Sequence, residues 1–566
     1  MAGATLEPTG TSFDPDENVE AEIGRWVTLV IVILAAFIVV LDNTVLNVAI
    51  PTILRDFHTT LPSLEWVITG YALTFATLLI IGGRLGDVYG HRRIFIIGAA
   101  LFGAGSLLAS VSTSVGQLIL GEAVIEGIGA SLMLPTTLAI LSSTFRGRER
   151  ATAFAAWGAT AGVAAASGPV VGGFLTTNYS WRWAFRINVI IAPLAILGAY
   201  VFMRRGERAT RRTTLDVPGA LLVAAGMFML VFALSEGGTY GWWHGLKDFT
   251  LAGHLIWPST RAVSIIPVAI AAGTLVLLGF FLVERATERR GRDPLFDFVH
   301  LRFKTYRYGL LTGLVLAMGQ LGLSFVLPVF LQTARHLSAQ ENGLWLLPTG
   351  LFVILGAQVG GRLTRRVGTT VVVRIGLASY ALGIAYIVHA IALDITVWRL
   401  LPGLAMYGTG IGFAGAQLTN VVLSEVPKES SGVASGANTT VRQVGSALGV
   451  AVIGSLLTAQ TARQTISHLN AATLPPTVKT SAIAGVRALG ANYTPPSSVG
   501  ARNAVVLRHA LEVGVASGTR FALSFAMVVV ALGAIISFLI PRTTARAALR
   551  ATPPTAFEPL EPLDAV

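Results

Sequence analysis

GGRLGDVYG at residues 82–90 returns as GGRLTRRVG at residues 360–368, with Gly, Gly, Arg, Leu and the closing Gly in register. Each copy follows an apolar run. A repeat on this scale marks a duplicated chain, and duplication is the usual way in which helical transport bundles are built. The two copies therefore fix equivalent points in two halves of one architecture.

Working outward, the composition says what kind of chain carries them. The 566 residues are 53% hydrophobic and only 12% charged, with a mean hydropathy of +0.69. Soluble domains carry about 25% charged residues. A spanning helix needs about 20 mostly apolar residues. Stretches of that kind lie near 27–50, 64–83, 93–111, 117–143, 152–175, 187–203, 216–236, 263–283, 308–331, 342–363, 372–393, 397–423, 435–458 and 519–541. Short alternating segments, the mark of a membrane β-barrel, are not the pattern here. The expectation is an all-α membrane protein with fourteen transmembrane helices.

The first copy of the repeat follows the second stretch and the other follows the tenth. Equivalent points are thus eight spans apart, although two six-span halves alone would put them six apart. Two spans must be inserted, and 216–236 with 263–283 are the candidates. The expected domains are a tail over 1–24, a six-helix bundle over 25–203, and the inserted pair with basic linkers over 204–307. A second six-helix bundle over 308–541 and a tail over 542–566 follow. Residues 237–262, with Trp242, Trp243 and Trp257, read as an outer loop with aromatics at the interface. Residues 459–518 read as a long outer loop, partly disordered, in which 503–515 is able to form a short helix.

The net charge of +12 is no sign of a nucleic-acid partner, because the basic residues sit in alternate loops. They gather at Arg84, Arg92 and Arg93, at Arg146, Arg148 and Arg150, and at Arg204, Arg205, Arg208, Arg211 and Arg212. Further groups are Arg285, Arg289, Arg290 and Arg292, then Arg362, Arg365 and Arg366. The positive-inside rule then puts these loops and both termini in the cytoplasm. The polar, acidic start of the chain is unlike a cleavable signal peptide. The absence of cysteine excludes disulfides and thiolate metal sites.

Asp42 stands in VLDNTVLNVAIP, residues 40–51, with no basic residue within ten positions on either side. A carboxylate at such depth is costly and normally faces a cavity or another helix. Desolvation raises a carboxyl group's affinity for protons, which suits a proton-carrying role. The alternative is a carboxyl satisfied by Asn43 or Thr44 and kept for packing. In GEAVIEGIGASLMLP, residues 121–135, Glu122 and Glu126 are spaced to share one helix face. Which of them faces a cavity stays open. Arg442, in VRQVGSALG at 441–449, either snorkels to the interface or neutralises an acid. No carboxylate falls mid-span in the second half, which argues against selectivity for divalent cations, and no metal site is expected.

In the loop GGRLGDVYGHRR, Gly83 and Gly90 permit the tight reversal, and Arg84, Asp87, Arg92 and Arg93 carry its charge. This segment resembles the loop-two-three signature of the major facilitator superfamily. The resemblance implies that Asp87 engages a facing helix end and helps to latch one conformation. Within 159–175, ATAGVAAASGPVVGGFL, the small residues Gly162, Gly168, Gly172 and Gly173 and the helix-bending Pro169 resemble the antiporter signature of drug exporters. With SWRWAFRIN at 180–188, LDNTVLNVAIP and WVITGYAL at 66–73, the chain resembles the fourteen-span drug:proton antiporters. One departure stands out. Where that family carries an arginine four residues before the glycine of its span-four signature, this chain has Ala123 before Gly127.

The resemblance implies a major facilitator fold of six plus two plus six helices and a bacterial plasma-membrane antiporter. It would export hydrophobic or amphipathic compounds against protons, working as a monomer among membrane lipids, with the proton gradient as its energy source and no cofactor. The alternative is an exporter of one metabolite, self-made antibiotic or lipid on the same fold. Enzymatic readings find no support: there is neither a phosphate-binding loop nor an HExxH motif. His91, His244, His254 and His300 are scattered.

Overall fold

A computed structural model describes residues 15–145, 147–203, 216–251, 254–290, 298–426, 431–489, 493 and 499–541. These residues are helical almost throughout. The first group comprises α1 (Pro15–Asp56), α2 (Leu61–Tyr89), α3 (His91–Val111), α4 (Val115–Leu118), a π-helical segment (Ile119–Glu126), α5 (Gly127–Thr144), α6 (Gly147–Asn178) and α7 (Trp183–Phe202). Next come α8 (Val217–Tyr240), an antiparallel hairpin of β1 (Phe249–Leu251) and β2 (His254–Trp257), and α9 (Ile265–Arg289). The last group is α10 (Lys304–Thr333), α11 (Ala339–Val367), α12 (Thr369–Ala390), α13 (Val397–Leu423), α14 (Ser431–Ala471), α15 (Pro476–Leu489) and α16 (Ala501–Ile536). Among the described residues, eleven helices are long and apolar enough to cross a membrane by length and composition.

The repeat has a packing meaning. Gly90 and Gly368, which close its two copies, have φ of 95° and 88°, where a side chain would strain the backbone. Gly82 presses on the backbone of Ser131 in α5, and Gly360 presses on Phe413 in α13. The same spacing recurs deeper in the bundles. Gly105 of α3 and Gly383 of α12 let their helices approach the backbones of Glu126 and Tyr407 so closely that a Cβ would lie 2.6 and 2.5 Å from the amide nitrogens. Each group thus joins its third and fourth long helices through bare backbone, the usual route to tight contact where lipid offers no hydrophobic driving force.

The segment read as a long outer loop, partly disordered, is mostly helical among its described residues, and the short helix expected at 503–515 is part of a longer one. α14 runs on to Ala471, α15 occupies 476–489, and α16 begins at Ala501. They close a small core of their own around Leu469, Val486, Tyr493 and Leu507. The alternation of Ala and Leu with polar residues there gives an amphipathic helix, which the Pro and Ser content masks. The loop between α8 and α9 carries the hairpin, and Trp243 at its start is 72% exposed. Residues 15–24 of the expected first tail already belong to α1, while residues 1–14, the tail over 542–566 and the basic linkers at 204–215 and 291–297 lie outside the described residues.

The groups meet at the bundle end that carries residues 57–60, 179–182 and 334–338, called here the far end. There Gln332 donates to the Val48 carbonyl at 2.9 Å, and Asn178 donates to Gln340 at 3.1 Å. The Gln340 amide donates to Thr177 at 2.9 Å. Gly343 of α11 lies directly against the Pro169 carbonyl, and Gly173 against that of Ala339. α14 packs along α2, while α8 lies on the outside of that seam and touches both.

Candidate functional site

Three carboxyl groups converge inside the first group. One oxygen each from Asp42, Glu122 and Glu126 lies within 4.8 Å of the other two. The three residues are 2%, 1% and 0% exposed. Asn188 of α7, also fully buried, joins them: its side-chain amide donates to Asp42 Oδ1 at 2.7 Å and to Glu126 Oε1 at 3.2 Å. Among the described residues, Asp42 Oδ2, Glu122 Oε2 and Glu126 Oε2 have no hydrogen-bond partner.

The sequence builds this cluster locally. Glu122 and Glu126 both lie on the π-helical segment, a widened turn found mostly at functional sites. Gly105 gives that segment room. On the other side, Gly168 of α6 sits directly against Thr44, and Gly172 packs on Val45, where a Cβ would meet the Val45 Cα at 2.9 Å. Gly168 and Gly172 therefore seat α1 beside Asp42, whereas Gly173 and Pro169 face α11 across the seam. One motif serves both surfaces. Thr44 does not satisfy Asp42; its hydroxyl donates to the carbonyls of Leu41 at 2.8 Å and Val40 at 3.3 Å.

The remaining predicted residues lie elsewhere. Gly83, Arg84 and Asp87 are on the last turns of α2, but the side chains of Arg84 and Asp87 lie outside the described ones, as does the surrounding of Gly162. Arg92 donates to the Tyr200 carbonyl at 2.5 Å and lies over its ring, fastening α3 to the end of α7. Arg93 is exposed. Arg442 is half-buried, its stem 3.5 Å from a Cβ built on Gly313 of α10, and it makes no ion pair among the described residues.

The second group shows what the first has that it lacks. Tyr407, whose amide faces Gly383 as that of Glu126 faces Gly105, turns its hydroxyl to the Gln320 carbonyl at 3.2 Å and stacks edge-on against Tyr380 at 5.0 Å. Gln320 lies as far along the chain from Asp42 as Gly360 does from Gly82. Phenol and amide thus stand where the first group has acids. Asn188 escaped the sequence reading because an asparagine in RINVIIAPL looks like a packing residue.

Residues 32–236 and 249–450 match the profile of the Major Facilitator Superfamily. The chain belongs to that superfamily. It is 35% identical over 456 residues, 79% of its length and 74% of the relative's, to a probable actinorhodin transporter of Streptomyces coelicolor. It is 33% identical over 448 residues, 78% of its length and 84% of the relative's, to a puromycin resistance protein of Streptomyces alboniger. The superfamily fold also appears in a solved bacterial homologue of the lysosomal transporter Spinster, with a TM-score of 0.59 at 15% identity over 91% of this chain and 98% of that one. The protein is therefore a multi-pass membrane transporter of the drug- and metabolite-exporting kind and not an enzyme.

Proposed function

We propose that this superfamily member is a proton-coupled antiporter that exports hydrophobic or amphipathic compounds across the bacterial plasma membrane by alternating access. The observation that carries the reading is the buried cluster of Asp42, Glu122, Glu126 and Asn188. Carboxyl groups this close, shut away from water, cannot all be ionised. The cluster therefore holds protons while closed and yields them when a cavity wets it.

In this reading the chain has fourteen spans, arranged as two six-helix bundles related by a pseudo-two-fold axis with α8 and α9 inserted. Both termini are cytoplasmic, and the far end is the outer side. The described contacts at Gln332, Gln340, Gly173 and Gly343 then close the outside, so this conformation serves substrate entry from the cytoplasm. Outward opening lets a proton load the cluster, and inward opening releases it and admits substrate. Arg84, Asp87, Arg92 and Arg93 would latch the cytoplasmic side. A membrane potential is worth about 2.3 kcal/mol per charge per 100 mV, so one charge moved across roughly 150 mV supplies about 3.5 kcal/mol, a gradient of several hundred-fold.

A specialist reading is favoured by the relatives, which are named for single antibiotics such as actinorhodin and puromycin. Accumulation measured over a chemically diverse panel, with and without an uncoupler, separates the two. Energy-dependent efflux of several unrelated compounds supports the multidrug reading, and one responding compound supports the specialist. No energy-dependent efflux of any compound contradicts both.

A further inference from the structure

At the far end a further acid is buried, apart from the cluster. Glu65 stands one turn into α2 with 0% of its surface exposed, and neither carboxylate oxygen has a hydrogen-bond partner among the described residues. Gly454 of α14 is pressed against its Oε1 so closely that a methyl group there would collide with it. Phe325 of α10 borders the same glycine, its ring 3.1 Å from where a Cβ would stand. From α8 comes the half-buried Glu236, the charged neighbour of Glu65. Its Oε1 accepts the indole N–H of Trp66 at 3.0 Å. Tyr240, beside Glu236, is the other titratable group on that helix. The charged neighbour of Glu65 is thus another acid, and among the described residues no basic side chain forms an ion pair with it.

A carboxylate ion is not held in such a place without a donor or a counter-charge. Glu65 is neutral there and keeps a proton. Its position decides what that proton does, because the seam between α2 and α14 joins the two groups at the far end. If transport proceeds by alternating access, as proposed above, this seam must part whenever the far end opens.

We propose that Glu65 is a second proton-binding site of the transport cycle, loaded while the far end is open and locked in when Gly454 closes over it. Opening lifts Gly454 away and returns the carboxyl to water, where glutamate ionises above about pH 4.3. The closed form thus binds one more proton than the open form at this site. Acid favours closure and alkali favours opening, by up to about tenfold per pH unit. Glu236, anchored by Trp66, keeps a like charge beside the site and links the inserted helix α8 to the gate.

The cysteine-free chain allows a direct test without a known substrate. Spin labels at Arg55→Cys, on the exposed end of α1, and at Thr473→Cys, exposed just past the end of α14, report the far end in the full-length protein. The wild-type pair should shift toward longer distances as the pH rises from 6 to 9. Glu65→Gln, which mimics the neutral acid, should lose one proton's share of that dependence and stay closed. Gly454→Val should hold the pair apart at every pH. A Glu65→Gln curve that traces the wild type overturns the proposal, as does a wild-type pair indifferent to pH. Asp42→Asn in the same assay should keep the share due to Glu65. A loss of pH response in Asp42→Asn with none in Glu65→Gln would uphold the cluster and overturn this site.

Discussion

Asn188 donates its side-chain amide to Asp42 at 2.7 Å, bridging α7 to α1 where neither residue is open to solvent. The same amide reaches Glu126, so one uncharged side chain sets the geometry of the acids. Hydrogen bonds to charged groups contribute about 1.5–3 kcal/mol. Asn188→Leu is expected to lower uphill export at least about tenfold, with Asn188→Gln partly restoring it. Both variants should reach the membrane at wild-type levels on immunoblots.

The glycines of the 159–175 motif act by absence of a side chain. Gly168→Val must push α1 away from α6 at Thr44, and overpacking of this kind costs about 1–3 kcal/mol or more. A lowered melting temperature and lost export are expected. Thr44→Gly, which removes the facing side chain, should recover part of the stability. Unchanged melting of Gly168→Val would mean that the two helices do not pack as described.

At the far end Asp56 accepts from Trp181 at 2.9 Å and from Arg182 at 3.0 Å, while Arg182 also reaches the Ser112 carbonyl at 3.0 Å. The residues differ in worth. Trp181 is 2% exposed, and truncating such a side chain costs about 3–5 kcal/mol. The ion pair is open to water, its side chains 27% and 47% exposed, and such pairs contribute about 0–1 kcal/mol. Trp181→Ala should therefore destabilise severely in a thermal melt and Arg182→Met only slightly.

Orientation is tested by topology reporters. Fusions after residue 250 and after residue 490 should both read as external, and fusions at either terminus as cytoplasmic. A cytoplasmic signal at 250 or 490 would overturn the count of spans on which the sidedness rests.

Much of this was legible in the residues, for reasons that differ by element. The repeated GGRL motif was readable because its glycines meet a constraint that both groups share, a close approach of helices. Asp42, Glu122 and Glu126 stood out because acids are rare in apolar runs. Their convergence was not readable, since it depends on how α1, the π-helical segment and α7 turn toward one another. Asn188 and Glu65 were missed for opposite reasons. An asparagine is cheap enough in a span to pass as packing, and an acid at the start of a span looks like an interfacial residue. The contact with Gly454, which comes from another part of the chain, could not be read from the residues around Glu65. The helices in 459–518 were hidden because helix propensity there is offset by nearby Pro and Ser, and tertiary burial decides the outcome.

The central claim is that Asp42 couples export to protons. Asp42→Asn keeps the shape of the side chain but cannot titrate. In vesicles with an imposed pH gradient, the variant is predicted to reach the membrane at the wild-type level and to lose accumulation of compound against its gradient. Downhill flux should remain. Uphill export by Asp42→Asn equal to that of the wild type would contradict the account and make Asp42 a structural residue.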